Sequence, residues 1–209
     1  MQTREELTRG YDALADVYAK EYCNELDKKP FDRERLERFA QKVSSGLPIC
    51  DLGCGPGHLA AHLNSLGAEV LGIDLSPGMI AEAEKRYPHI EYRVGNMLQL
   101  ELPDDSLGAI AAFYSVIHIE RDDLDQATAE MHRVIIPGGF ALLAFHRGQG
   151  TFHEDEALGK PIPFDCTLYE PEEMASSLER AGFAIEDVTV RDPYDFEFPT
   201  TRAYVLARK

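Results

Sequence analysis

Ile49-Cys50-Asp51-Leu52-Gly53-Cys54-Gly55-Pro56-Gly57 carries an apolar strand into a glycine-rich loop and on into a helix. Glycines there allow backbone conformations closed to other residues and let a ligand approach the main chain. The helix start that follows offers unpaired N–H groups. Outward from this stretch, strands and helices alternate. A strand over 47–51 is followed by a helix over 57–66 closed by Gly67, and a strand over 69–74 by a helix over 77–87 with Ser76 as N-cap and proline first. Residues 90–94 read as a strand, and 107–114 are apolar enough for a strand buried on both faces. A helix over 122–135 stops at Pro137-Gly138-Gly139, before a strand over 140–146. Residues 147–168 have no clear period. A helix over 171–181 ends at Gly182, and strands over 184–191 and 203–208 follow with no helix between them. The alternation predicts an α/β fold, a mostly parallel sheet with helices on both faces and an antiparallel final pair.

Upstream, Leu7, Tyr11, Leu14 and Tyr18 form one helical stripe. Leu36, Phe39, Ala40 and Val43 form a second, which Ser44-Ser45-Gly46 is expected to end. The 209 residues, 44% hydrophobic and 28% charged, suit one globular domain. A net charge of −16 argues against nucleic-acid backbones and anionic lipid as partners. Met1–Glu6 lack the apolar core of a signal peptide, and the run 107–119 is too short to span a bilayer. These features predict a soluble, cytoplasmic protein. Cys23, Cys50, Cys54 and Cys166 contain no C-x-x-C pair and read as free thiols, not as a zinc site or disulfide framework.

Asp74 ends the strand after the glycine loop, about 20 residues on, which suits a carboxylate gripping a ribose diol. Loop and acid together point to an adenine nucleoside; the plainer alternative is a tight turn and a helix cap. The loop is G-C-G-P-G, where dinucleotide binders carry G-x-G-x-x-G. Asp51, two residues before Gly53, sits badly beside a pyrophosphate and well beside a cationic amine or sulfonium.

Asp51-Leu52-Gly53-Cys54-Gly55-Pro56-Gly57 resembles the glycine motif of class I S-adenosylmethionine-dependent methyltransferases, and Asp74 resembles their ribose-binding acid. Val94-Gly95-Asn96-Met97 is similar to the segment flanking the adenine, with Asn96 where the family usually carries Asp. Ile135-Ile136-Pro137-Gly138-Gly139-Phe140 resembles the turn before the fifth strand, and residues 11–18 are similar to the lid helix of small-molecule methyltransferases. The resemblance implies a Rossmann-like seven-stranded sheet, parallel except for an antiparallel last strand inserted between the fifth and sixth. It implies lid helices over 1–45, a cofactor core over 46–146, and an acceptor-side loop with C-terminal strands over 147–209. Gly53, Cys54, Gly55 and Gly57 would pass beneath the methionine portion and ribose, with Asp51 facing the amino group. Asp74 would bind the ribose hydroxyls and Ser76 would stand beside it. Leu75 and Met79 would lie against the adenine, Asn96, Met97 and Leu98 would close its other side, and the Asn96 amide oxygen would take the adenine amino group. Phe113 and Tyr114 would lie where donor meets acceptor, and His118, four residues on, would line the same cavity beside the cofactor. Tyr11 and Tyr18 are equally lid contacts or core stripe residues.

The implied reaction is in-line methyl transfer from S-adenosylmethionine, leaving S-adenosylhomocysteine, to a small-molecule acceptor. A base is needed only if the acceptor must lose a proton, and His118, His146 and His153 are the candidates. A histidine metal site with Asp155 or Glu156 is a further option. His58 and His62 lack the glutamate of H-E-x-x-H and read as an exposed helix face. Two other functions compete: an NAD(P)-dependent oxidoreductase, disfavoured by the loop spacing, and a catalytically idle S-adenosylmethionine-binding protein. The acceptor and the oligomeric state, a homodimer included, stay open.

Overall fold

The computed structural model describes residues 2–43 and 46–209, so Ser44 and Ser45, expected to end the second helix, lie outside the described residues. Helix α1 (Arg4–Tyr22) starts from a capping box: Thr3 Oγ1 accepts the Glu6 N–H, and the Glu6 carboxylate accepts the Thr3 N–H at 2.8 Å. A 3-10 turn at Glu25–Asp27 leads to α2 (Pro30–Ala40), which opens on proline. Val43 therefore lies beyond this helix, although it still packs against the core.

The alternating region supplies β1 (Ile49–Leu52), α3 (His58–Ser65), β2 (Val70–Asp74), α4 (Pro77–Arg86), β3 (Glu91–Val94) and β4 (Leu107–Phe113). It continues with α5 (Leu124–Val134), β5 (Ile135–His146), β6 (Thr151–Glu154), β7 (Phe164–Thr167), α6 (Pro171–Ala181), β8 (Ala184–Arg191) and β9 (Arg202–Arg208). The main sheet runs β3-β2-β1-β4-β5-β9-β8. Its pairs from β3 to β5 are parallel, and β9 pairs antiparallel with both β5 and β8, as expected.

Burial explains the sheet. Ile110 and Ala112 of β4 join a core with Met131 and Val134 of α5 and Met174 and Leu178 of α6. Ala109, Ala111 and Phe113 face the other way, onto Leu36 and Phe39 of α2, Leu59 and Leu63 of α3, and Ile80 of α4. Both faces of β4 are covered, which its unbroken apolar run requires.

Two elements differ from expectation. No turn separates α5 from its strand: β5 begins at Ile135, pairs it with Leu107, and shifts register before Ala109 pairs Phe140. Glycine makes the close approach possible, because a Cβ at Gly139 would stand 2.5 Å from the Gly108 carbonyl oxygen. The second is a β6–β7 hairpin inside 147–168, pairing Thr151 with Thr167 and Glu154 with Phe164. Its strands have four residues each, too few to establish a period. All four cysteines are unpaired. Among the described residues no helix is long and apolar enough to cross a membrane.

Candidate active site

The carboxyl ends of β1, β2 and β4, helix α1 and the β8–β9 connection enclose a cavity of about 930 Å³. At its first end the loop after β1 turns through left-handed glycines, with φ of +77° at Gly53 and +52° at Gly55. A Cβ at Gly53 would stand 2.2 Å from Ser115 Cβ, whereas one at Gly55 would meet only the Tyr18 ring, at 4.0 Å. Gly55 therefore leaves its space open beneath α1. Asp74 fixes the loop: one carboxylate oxygen accepts the Gly55 N–H and the other the Ser76 N–H, each at 2.8 Å. Burial pushes its carboxyl above the ordinary range, against the pull of these backbone donors. Asp51 is deeper. It accepts the Ala60 N–H at 2.9 Å, and burial raises it to about 7.

Leu75, Ser76, Met79, Asn96, Met97 and Leu98 line the adjoining wall. The Asn96 amide oxygen already accepts the Leu98 N–H at 3.0 Å. It therefore brings one remaining lone pair, and not a free oxygen, to a ligand. Gly57 does not line the cavity. It is the left-handed N-cap of α3, and a Cβ there would meet the Tyr92 hydroxyl at 2.5 Å, so its glycine serves packing behind the loop. Cys54 reaches the lining and is buried.

Tyr11 and Tyr18 of α1 both line the cavity, where the sequence left their role evenly divided. The Tyr11 hydroxyl is 2.6 Å from His118 Nε2, and His118 Nδ1 lies 3.2 Å from the Asp165 carbonyl oxygen. A carbonyl can only accept, so Nδ1 carries the proton and Tyr11 donates to Nε2. Burial holds His118 down to about 4. Helix α1 is pinned elsewhere: Asp12 Oδ1 accepts from Ser76 Oγ at 2.6 Å and from Gly78 N at 2.8 Å, and Lys160 Nζ donates to the Ala13 carbonyl at 2.6 Å.

Phe113, Tyr114 and His146, at the carboxyl ends of β4 and β5, line the far end. Tyr114 takes φ +55°, uncommon outside glycine and often a mark of a functional position. His146 Nδ1 contacts Thr200 Oγ1 at 2.5 Å. Burial, then the nearby Arg202 and Lys29 charges, pull it down to about 3.

His153 does not reach the cavity. Its ring, 54% exposed, lies outside between Asp165 and Asp155, at 2.7 and 3.2 Å, because the unforeseen hairpin turns it outward. His58 corrects the opposite way: it is buried beneath the 3-10 turn, its Nε2 2.9 Å from Glu25 Oε1, while burial lowers the half-buried His62. No group of three or more His, Cys, Asp or Glu among the described residues could hold a metal ion.

Sequence reasoning missed the polar cluster at the far end. Asp32 of α2, 1% exposed, accepts from Tyr204 of β9 and lies 3.3 Å from Arg191 Nη2. Arg191 holds both oxygens of Glu197, at 2.7 and 3.0 Å. Lys29 pairs with Glu25 at 2.7 Å, and Arg202 completes the group. These residues come from separate parts of the chain, with no local motif to reveal them.

Residues 49–139 match the model of a family described as methyltransferase domain. The chain is 42% identical over 149 residues to the demethylmenaquinone methyltransferase of Chlorobaculum parvum, covering 68% of this chain and 60% of that protein. It is 30% identical over 158 residues to a Mycolicibacterium smegmatis protein named "Probable S-adenosylmethionine-dependent methyltransferase", covering 72% and 57%. The chain thus spans less than two thirds of the length of these relatives. A solved methyltransferase structure from Methanosarcina mazei superposes with a TM-score of 0.73 at 21% identity, covering 81% of this chain and 95% of that one.

Proposed function

Because the chain belongs to the class I S-adenosylmethionine-dependent methyltransferases, we propose that it transfers a methyl group from S-adenosylmethionine to a small-molecule acceptor by in-line displacement. The observation that carries this reading is one continuous cavity of about 930 Å³, running from Asp74 and the glycine loop to Tyr114 and His146. That volume has room for a nucleoside ligand and a small acceptor together. Bound there, S-adenosylmethionine supplies a sulfonium methyl open to backside attack.

The residues fit such a ligand. Gly55 leaves the space a Cβ would fill, and Asp74 retains carboxylate lone pairs for ribose hydroxyls beyond the two it gives the backbone. Leu75 and Met79, with Met97 and Leu98, supply apolar surface for an adenine. Asp51, whose carboxylate accepts the Ala60 N–H and lines the cavity, suits the ligand's ammonium group. Tyr11, Tyr18 and α1 close the cavity from above and exclude water.

At the acceptor end, alignment does most of the chemistry. His118 has its Nε2 occupied by Tyr11, which leaves His146 as the residue to receive a proton. A base held down to about 3 takes one only from an acidic acceptor. The curated relative acting on demethylmenaquinone supports a small-molecule acceptor, and the charge of −16 speaks against nucleic acid. Four unpaired cysteines suit a reducing compartment, the cytoplasm.

Parallel calorimetric titrations with S-adenosylmethionine, S-adenosylhomocysteine and NADH test the reading. Micromolar binding of the first two and none of NADH is expected. NADH binding alone overturns it. Cofactor binding without turnover across an acceptor screen would favour an idle binding protein.

A further inference from the structure

We propose that the acceptor end selects a molecule with a flat apolar body and an acidic group, and that Arg202 and Lys29 hold the anion of that group. The inference rests on the methyltransferase reading above and names the class of acceptor.

Arg202 is a buried guanidinium with one donor lacking a hydrogen-bond partner. Arg202 is 3% exposed and lines the cavity. Its Nη1 donates to the backbone and hydroxyl oxygens of Thr200, both neutral acceptors. Its Nε has no hydrogen-bond partner, and the nearest carboxylate oxygen, Glu197 Oε1, stands 3.8 Å away. Glu197 is already committed to the Arg191 fork and to the Tyr194 N–H at 2.9 Å. Asp32 is committed to Tyr204 and Arg191. A buried guanidinium is costly unless paired and hydrogen-bonded, and its planar donors match a carboxylate or another oxyanion. Each neighbouring carboxylate has a nearer cation, Glu197 having Arg191 and also Lys29 at 3.5 Å, so the Arg202 Nε–H is left free to donate to a ligand oxygen.

The field agrees. Glu197 is held down to about 2 although burial alone would raise it, the work of Arg191, the Tyr194 N–H, Arg202 and Lys29. Lys29, which pairs with Glu25 at 2.7 Å and lies 3.5 Å from Glu197, also lines the cavity, its Nζ 5.1 Å above the Tyr114 ring, and the Arg202 guanidinium is 5.8 Å from that ring. Arg202 and Lys29 add to the burial that keeps His146 unprotonated, and the same two charges would favour the anionic form of a bound acid.

The walls define the body. Phe196 and Phe198 of the β8–β9 connection line the cavity yet stay 57% and 42% exposed, large apolar rings facing solvent. Phe198 stacks on Phe152 of β6 with centroids 4.8 Å apart and planes at 13°, so a flat surface is already formed. Tyr114 and His146, 5.5 Å apart, complete the aromatic lining.

The test titrates 2-naphthoate and its neutral isostere 2-naphthamide into the full chain by calorimetry, with and without saturating S-adenosylhomocysteine. Naphthoate is expected to bind at least tenfold more tightly than the amide. Lys29→Gln and Arg202→Gln should each remove most of that preference while moving amide affinity less than threefold. Arg202 lies inside the sheet, so Lys29→Gln, just before α2, decides the matter should the Arg202 variant fail to fold. Equal affinities, tighter amide binding, no binding of either probe, or a preference surviving Lys29→Gln overturns the proposal. Failure of S-adenosylhomocysteine itself to bind sinks the methyltransferase reading instead, and the naphthoate preference measured without it then judges this pocket alone.

Discussion

Replacing Asp74 by asparagine keeps the shape of the side chain and changes what it can accept. In the structure its two oxygens each receive one backbone N–H, from Gly55 and Ser76, at 2.8 Å. An amide has one oxygen; its NH₂ would face the other N–H, donor against donor. One backbone donor is then left unmade, a cost of about 1–3 kcal/mol. For a chain of this size that corresponds to a fall in Tm of about 2–4 °C per kcal/mol. Binding suffers separately, because the ribose hydroxyls lose an ionised acceptor. Loss of a charge-assisted hydrogen bond, about 1.5–3 kcal/mol, weakens S-adenosylhomocysteine roughly 10- to 150-fold. Asp74→Ala should do much the same, so the conservative exchange is no milder than truncation. Calorimetry with S-adenosylhomocysteine and a thermal melt of each variant make the measurement. A Kd within twofold of the parent, with unchanged Tm, would refute both the placing of the ribose and the account of how the loop is held.

Gly53→Ala should disrupt folding or abolish cofactor binding, since its Cβ would stand 2.2 Å from Ser115; Gly67→Ala, at φ +89° with nothing within 4 Å, should cost only about 1–2 kcal/mol in a denaturant melt. His146 is held down to about 3, so below the ordinary histidine value of about 6.5 the unfolded chain takes its proton first and stability falls with pH. Between pH 6.5 and 5 this contributes a loss of about 2 kcal/mol, and His146→Gln should show a shallower fall of Tm over that range. Asp12→Ala removes the acceptor that pins α1 to Ser76 and Gly78. We expect a loss of about 1–2 kcal/mol and faster proteolytic cleavage within α1; an unchanged digestion pattern would count against the pinning.

What the sequence disclosed follows from the range of each signal. The glycine loop, the acid that ends β2 and the alternation of strands and helices are written in contiguous residues and were legible as such, whereas the place of β9 in the sheet came only with the family resemblance. Ser76 was legible as an N-cap because its hydroxyl acts within three residues, on Met79 N. His58 was misread because the group that buries it, Glu25, lies 33 residues earlier. His153 was misread because the hairpin that aims it outward pairs two four-residue strands, below the length at which alternation is visible. Tyr92 explains Gly57 only through tertiary packing, although that glycine looked like part of the ligand motif. The Arg191–Glu197–Asp32 cluster joins α2 to β8 and the connection after it, and no window of sequence contains it.

The insertion of β9 between β5 and β8 has a consequence for how the chain reaches this fold. Strands β8 and β9 pair as neighbours in sequence, so they can assemble locally; the β5–β9 ladder joins Phe140 to Arg208 and must wait for long-range closure. Until that ladder forms, β5 offers an open edge through Ala141-Leu142-Leu143-Ala144-Phe145, uncharged, free of proline and able to pair with another chain. The connection that brings β9 home is the one that carries Phe196 and Phe198. Redesigning it for a new acceptor therefore also alters how long that edge stays open, and variants of altered selectivity should be sorted first by soluble yield.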